Sequence, residues 1–333
     1  MNTREARGVV VAAALFLLVQ VGALAMVGPF DTAGYQAVEN PSDPTNSLVY
    51  IAAILVATAL MLAAFKYAFE RVVKAVVVLS SGLVSWYVFG VVAPPLVTLG
   101  SVNLVAIALS VGVAVALLVY PEWYVIDGAG VVMGIGAGAL FGISFGLLPA
   151  ILLLSVLAVY DAISVYGTRH MLSLAEGVME LRVPVILVVP LSLSYSLLAD
   201  DFSGANEVGE DEESASSTAA DGDGNAADSA PARDAFFIGL GDAVMPTVMV
   251  ASGAFFSPAP SLGVAPLPAL NLPALCAMIG TFLGLGVLLW AVMKGRAHAG
   301  LPLLNGGAIG GYLLGSVLAG VSLVRALGLA PYL

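Results

Sequence analysis

The sequence predicts an all-α protein that crosses a membrane nine times. Of its 333 residues, 60% are hydrophobic and only 10% are charged, and the mean hydropathy is +1.03. Soluble globular domains do not have this composition. The apolar runs are continuous over about 20 residues, the length that one helix needs to span the hydrocarbon core. They lack the alternation of a transmembrane β-barrel, so we expect a helical bundle.

Nine apolar segments are the predicted spans. They cover residues 9–29, 48–68, 75–97, 102–120, 128–147, 149–168, 235–256, 273–293 and 303–324. The first is as long as a full span and lacks a clear small-residue cleavage site, so we interpret it as a mature helix rather than a signal peptide. The apolar stretch 183–198 is shorter and contains two prolines. We expect it to be a juxtamembrane segment, in which Val185, Ile186, Leu187 and Val188 favour a strand.

The basic residues predict the orientation of the chain. In the nine-span arrangement, ten of the eleven Lys and Arg residues fall on one side of the membrane, and Arg325 follows the last span on the other. Because loops rich in Lys and Arg stay in the cytoplasm, the N-terminus is predicted inside and the C-terminus outside. A wrong number of spans would have scattered these residues over both sides.

One long loop divides the chain into three parts. We predict helices 1–6 in residues 1–168, a cytoplasmic loop in 169–234, and helices 7–9 in 235–333. Eleven of the 22 acidic residues lie between Asp200 and Asp234, with a single base among them. Such a stretch cannot bury a core, so we expect 200–234 to be disordered. Acid-rich loops suit high salt, which indicates a plasma-membrane protein of a high-salt prokaryote.

Two acidic residues lie inside the predicted spans, Asp161 in span six and Asp242 in span seven. A charge at the bilayer centre costs about 2.5 kcal/mol or more, which makes each residue a functional candidate. Each lies eight residues from the charged residue that flanks the cytoplasmic end of its span, Arg169 or Asp234, which is about 12 Å along a helix. Since consecutive helices are usually neighbours, we expect the two carboxylates to face each other at one depth.

Two facing carboxylates in a low dielectric share one proton, because both cannot ionise cheaply. One can take a proton from a water that attacks an amide carbonyl, while the protonated one donates a hydrogen bond to the carbonyl oxygen. This chemistry needs neither a metal nor an organic cofactor, and the sequence does not assign the two roles. Near Asp242, Gly239 and Gly241 remove side chains and Pro246 removes a helical N–H, which permits close approach of another chain.

The pair Tyr160-Asp161 and the run Gly239-Leu240-Gly241-Asp242 resemble the motifs of the presenilin and signal peptide peptidase family, and an archaeal presenilin homologue in particular. The resemblance extends to span count, orientation and the loop between spans six and seven. It implies an intramembrane aspartic endopeptidase of the GxGD type. It also implies that Asp161 and Asp242 are catalytic, with Tyr160, Gly239 and Gly241 in support. Whether the loop is cut, as in presenilins, stays open.

The family's third motif, Pro-Ala-Leu, opens the ninth span and is altered here. Literal copies at 268–270 and 273–275 lie before span eight or at its start, so the segment at the start of span nine is Ala299-Gly300-Leu301-Pro302, which lacks the first proline. Together with Leu240, these four residues are the substrate-binding candidates. The resemblance implies that such segments hold an unwound substrate in an extended form, for which β-augmentation is the general means.

Other functions stay open from the sequence. The same two acids would suit a proton- or cation-coupled transporter, although the halves show no convincing repeat of the kind transporters have. A protease-like protein that only binds partners is a third alternative. We expect no metal, because His170 and His298 have no ligand-spaced companions, and no nucleic acid, because the few bases follow topology. The expected partners are membrane lipid and transmembrane peptides or proteins. Substrate identity, partner subunits and a homo-oligomer are left undetermined.

Overall fold

The computed structural model describes residues 3–67, 69–100, 102–168, 183–191, 195–198, 235–294 and 299–332. In these ranges, nine helices of 16 to 30 residues form the body of the protein. They are α1 (Thr3–Thr32), α2 (Thr45–Lys66), α3 (Glu70–Val92), α4 (Leu104–Val119), α5 (Trp123–Ser144), α6 (Leu147–Ile163), α7 (Leu240–Phe256), α8 (Leu272–Met293) and α9 (Gly300–Leu318). Shorter elements are a π-helical turn (Ser164–Thr168), α10 (Leu323–Ala326) and a 3₁₀ turn (Ala330–Tyr332).

Seven of the nine helices are long and apolar enough to cross a membrane, and α4 and α7 are shorter apolar helices. The protein is therefore an integral, multi-pass membrane protein. Each predicted span overlaps one of the nine helices. The helix of span seven begins later than predicted, because the first five residues of the span, 235–239, form a strand.

Two small antiparallel sheets complete the described fold. A short ribbon joins β1 (Thr98–Leu99) to β2 (Val102–Asn103) between α3 and α4. The second sheet pairs β3 (Ile186–Pro190) with β4 (Ala235–Gly239), which leads directly into α7. The described part of the stretch 183–198 thus contains a strand, which the sequence favoured for Val185–Val188, with turns beside it. The acidic stretch 200–234 and both histidines lie outside the described residues.

Helix α5 lies at the centre of the bundle because its glycines admit its neighbours. A Cβ atom added at Gly134 would lie 3.1 Å from Val19 of α1, and one at Gly138 would lie 2.7 Å from Cγ2 of Thr247 of α7. One further turn along, a Cβ at Gly142 would overlap Ala251 of α7. Small residues at four-residue spacing allow membrane helices to pack closely. This face of α5 therefore fixes α1 and α7.

Helices α8 and α9 approach each other through their backbones. A Cβ added at Gly280 would overlap the carbonyl oxygen of Gly307, and one at Gly311 would overlap that of Cys276. Gly284 continues the same face of α8 one turn later and also meets the α9 backbone. No side chain separates the helices along this line, so α8 fixes the axial position of α9 and of its first turn.

The expectation that only two acids lie within the spans was wrong, because Asp127 is inside α5. The sequence placed the start of the fifth span at residue 128, but the helix begins at Trp123. Asp127 is buried in this helix, and its Oδ1 accepts the N–H of Val188 in β3 at 2.7 Å. An interpretation based on apolar runs places the helix boundary at the acid. The hydrogen bond from Val188 of β3 satisfies this carboxylate, so that it can lie inside the helix.

Candidate active site

Asp161 lies near the end of α6, just before the π-helical turn. The residue is only 4% exposed. Its Oδ2 accepts the main-chain N–H of Leu301, in the first turn of α9, at 3.0 Å. One helical turn deeper, Nδ2 of Asn305 donates to the carbonyl oxygen of Leu154 at 3.0 Å. These bonds join the end of α6 to the beginning of α9.

Asp242 lies in the first turn of α7, immediately after the sheet. Gly239 is the N-cap, with extended backbone angles (φ −60°, ψ 133°) and no side chain to cap the helix. The carboxylate turns back over this glycine, since a Cβ added there would lie 3.6 Å from Oδ2 of Asp242. An acid in the first turn is favoured by the helix dipole. Pro246, four residues on, leaves the carbonyl of Asp242 without its usual helical N–H donor.

The two carboxylates meet at the start of α9. A Cβ added at Gly300 would lie 3.1 to 3.2 Å from the carboxylate atoms of Asp242. The next residue, Leu301, donates its N–H to Asp161. Both carboxylates therefore lie against adjacent residues at the start of α9. The geometry thus brings together the two acids and the Gly300-Leu301 pair that the sequence analysis selected.

The other predicted residues have different surroundings. Tyr160 is half-buried, and its carbonyl accepts the N–H of Ser164. Leu240 is 7% exposed and packs against α5, where a Cβ at Gly134 would lie 3.5 Å from its Cδ1. Its side chain therefore points into the core.

Gly241 is exposed, with open space where a Cβ would be. Ala299 and Pro302 flank the pair that contacts the carboxylates.

Tyr166 is a site neighbour that the sequence analysis missed. Its hydroxyl oxygen accepts the N–H of Ala299 at 3.2 Å. It lies five residues after Asp161, inside the π-helical turn Ser164–Thr168. Insertions of this kind are frequent at functional sites. The position of a π-helical turn is not visible in the apolar pattern, so the only available signal was a polar aromatic residue near the predicted end of the span.

A cavity of about 160 Å³ opens beside Asp242. Apart from the Asp242 carboxylate, its lining is apolar or backbone. It is bounded by α1, β4, the end of α8 and the start of α9, through Val9, Phe237, Ile238, Gly239, Leu288, Leu289, Val292, Met293 and Gly300. A liquid water occupies about 30 Å³, so there is room here for several waters or for one apolar side chain. In the described part of the chain, no three His, Cys, Asp or Glu side chains are grouped as a metal site would require.

Comparison with known proteins identifies the family. The family model described as signal-peptide peptidase, presenilin aspartyl protease matches residues 13–321. The protein belongs to this family. The resemblance drawn from Tyr160-Asp161 and from residues 239–242 is therefore confirmed at the level of the family.

Two solved structures of presenilin family intramembrane aspartate proteases are similar to this member of the family. One, in space group C222, has 30% sequence identity and a TM-score of 0.59, and the alignment covers 93% of this chain and 99% of that chain. The other, in space group P2, has 31% identity and a TM-score of 0.57, with coverage of 92% and 96%. None of the curated proteins matches this chain. The presenilin-like arrangement of helices thus extends over nearly the whole protein.

Proposed function

We propose that this protein is an intramembrane aspartic endopeptidase of the GxGD type that hydrolyses peptide bonds of transmembrane substrates. The observation that carries the proposal is the meeting of Asp161 and Asp242 at Gly300-Leu301, in a chain that belongs to a family of aspartyl proteases. The matched family gives no support to the transporter alternative, which would use the same two acids.

The proposed reaction needs one proton on the pair of carboxylates. The ionised member takes a proton from a water as the water oxygen attacks the substrate carbonyl carbon. The protonated member donates a hydrogen bond to the carbonyl oxygen, where negative charge develops. The C–N bond of the resulting tetrahedral intermediate then breaks, and a proton passes from the pair to the leaving amine. The burial of Asp161 limits competing water, and the cavity beside Asp242 offers a place for the attacking one.

The substrate has to be unwound before it can react, because a transmembrane helix hides its peptide bonds in internal hydrogen bonds. An exposed sheet can hold the unwound segment as an added strand. The β3–β4 sheet fits this role, since β4 ends at Gly239, three residues before Asp242. Gly241 and Gly300 leave space for a peptide backbone near the acids. These contacts are the proposed role of the 239–242 and 299–302 segments.

We place the N-terminus in the cytoplasm and the C-terminus outside, with nine crossings. The distribution of ten of the eleven basic residues supports this orientation. Both acids then lie towards the cytoplasmic ends of their helices, and water would reach the site from the cytoplasm. The proposed location is the plasma membrane.

The proposal is tested with the purified full chain, reconstituted in lipid, and a fluorogenic transmembrane peptide. Asp161→Asn and Asp242→Asn should each lower the cleavage rate by at least about 10³-fold, since each removes a proton-transfer group. Asp31→Asn, which changes an exposed acid at the end of α1, is the matched control and should cleave normally. Cleavage that persists in either active-site variant would exclude the two-aspartate mechanism.

A further inference from the structure

The buried carboxylate of Asp127 has no part in the reaction proposed above, yet it forms a specific bond to the sheet. Asp127 is 6% exposed, and its Oδ1 lies 2.7 Å from the main-chain nitrogen of Val188. A carboxyl oxygen can accept such a bond in either protonation state. A helix in the bundle core therefore holds the middle residue of β3 through a side chain.

The register of the sheet shows which way this N–H points. Val188 is opposite Phe237 in the antiparallel ladder. In such ladders, pairs that exchange hydrogen bonds alternate with pairs that do not. Since the Val188 N–H points to Asp127, the bonded pairs are those on either side of Val188 and Phe237. The next pair beyond the ladder would be Val185 and Leu240, which the alternation predicts to be bonded. The Leu240 N–H does donate to the Val185 carbonyl, at 2.7 Å.

The outer edge of β3 is consequently closed to another strand. The outward N–H of Val188 is already bound, and the next outward position is Pro190, which has no N–H. Helix α5 also packs against this strand, because a Cβ added at Gly130 would lie 3.0 Å from Cδ2 of Leu187. The substrate strand is therefore assigned to β4, whose residues Phe237, Ile238 and Gly239 line the cavity beside Asp242.

We infer that Asp127 is a positioning residue that fixes the register of the β3–β4 sheet, and thereby selects which peptide bond of an added substrate strand reaches Asp161 and Asp242. The inference rests on the proposed protease function. The alternation of the ladder decides which peptide groups of β4 face the substrate. Asp127 keeps the pairing pattern unchanged, because it binds the outward N–H of Val188 and so fixes β3 to α5.

Register determines the cut site in simple geometric terms. Adjacent residues of a strand are about 3.3 Å apart. A slip of one residue between β3 and β4 would reverse which β4 peptide groups face outward, and every side chain would change sides. A substrate strand pairing with the displaced edge would present a neighbouring peptide bond to the carboxylates. Loss of the Asp127 bond should therefore change where the substrate is cut more than whether it is cut.

The test compares cleavage products from one transmembrane peptide by mass spectrometry. Asp127→Leu removes the acceptor, and we expect the share of the main product to fall at least about twofold as products shifted by one or two residues appear. Asp127→Asn keeps a side-chain oxygen at the same place, and should retain the wild-type product pattern. Glu122→Gln is the matched control, because Glu122 binds Ser196 and Leu197 rather than the strand, and its products should be unchanged.

Val188→Pro removes the same bond from the other partner. The N–H that it deletes points away from β4, so the bonds between the two strands stay intact. The variant should give the shifted products of Asp127→Leu, and the double variant should shift them no further, as expected for two halves of one interaction. If Asp127→Leu is not recovered in folded form, Val188→Pro alone decides the question.

The outcomes separate this inference from the proposed function. If the wild-type protein does not cleave, or if cleavage survives loss of Asp161, the protease proposal fails. If the wild-type protein cleaves and the folded variants give the wild-type product pattern, whether they cleave faster or more slowly, Asp127 only stabilises the fold. The inference is then overturned. Shifted products from Asp127→Asn equal to those from Asp127→Leu would also overturn it, because the oxygen acceptor would then not be the determinant.

Discussion

The main-chain N–H of Leu301 lies 3.0 Å from Oδ2 of Asp161, so the first turn of α9 is bonded to the end of α6. The neighbouring Gly300 is in contact with the carboxylate of Asp242. Two successive residues of α9 thus lie against two acids that come from helices α6 and α7, on either side of the 169–234 loop.

The bond from Leu301 should be needed for catalysis independently of the leucine side chain. Leu301→Pro removes the N–H at a position in the first helical turn, where proline is tolerated. We expect a fall in kcat/KM of about 10- to 100-fold, since a hydrogen bond to a charged group contributes about 1.5–3 kcal/mol. Leu301→Ala keeps the N–H and is the control, to be compared by peptide cleavage. Equal losses in the two variants would assign the effect to the side chain.

The space at Gly300 should be equally important. An alanine Cβ here would lie 3.1 Å from Oδ2 of Asp242, so the carboxylate or the helix must shift. We expect Gly300→Ala to lose about 10- to 100-fold in kcat, because small misplacements of reacting groups have effects of this size. Gly306→Ala lies in the same helix with open space around its Cβ. It should retain activity, and an equal loss in both variants would argue for a general effect on α9.

The backbone contact between α8 and α9 should control stability. Gly280→Ala places a methyl group against the carbonyl of Gly307, and overpacking of this kind costs about 1–3 kcal/mol. In the same helix, Gly286 has open space at its Cβ position. Gly286→Ala should be neutral or stabilising by up to about 1 kcal/mol, because alanine favours the helix. Thermal unfolding in detergent measures both, and similar melting temperatures would contradict the assigned contact.

The attachment of residues 195–198 to the start of α5 should depend on pH. Burial disfavours the charged form of Glu122, but hydrogen bonds from the Ser196 hydroxyl and the Leu197 N–H outweigh it and lower the pKa below its usual value of 4.5. Because the pKa is lower in the folded state, this stabilisation is present above pH 4.5 and is lost as the pH falls through the lowered pKa.

Hydrogen exchange at the Leu197 amide is the measurement for this prediction. Below pH 4.5, exchange in the wild-type protein should speed up relative to the intrinsic rate, whereas Glu122→Gln should lack this step. The prediction is contradicted if the wild-type and Gln variants respond identically to pH.

The two central acids could be predicted from sequence because ionisable residues in apolar spans are rare and their depth follows from helix geometry. Other features depend on contacts between distant segments. Residues 235–239 are apolar enough for either a helix or a strand, and it is pairing with Ile186–Pro190 that decides. Asp127 belongs inside α5 only because Val188 supplies a donor. Tyr166 reaches Ala299 through a π-helical turn, which apolar periodicity does not encode.

The close backbone packing of α8 and α9 has a consequence for the design of inhibitors. A ligand directed at the two carboxylates cannot gain room by displacing the first turn of α9 alone, because α9 is held against α8 by direct contact of their main chains. Compounds that present only hydrogen or a flat edge towards Gly300 should be accepted, whereas branched groups at that point would be rejected. Selectivity is therefore better sought on the side facing Val9 and Leu288, where side chains rather than the main chain line the cavity.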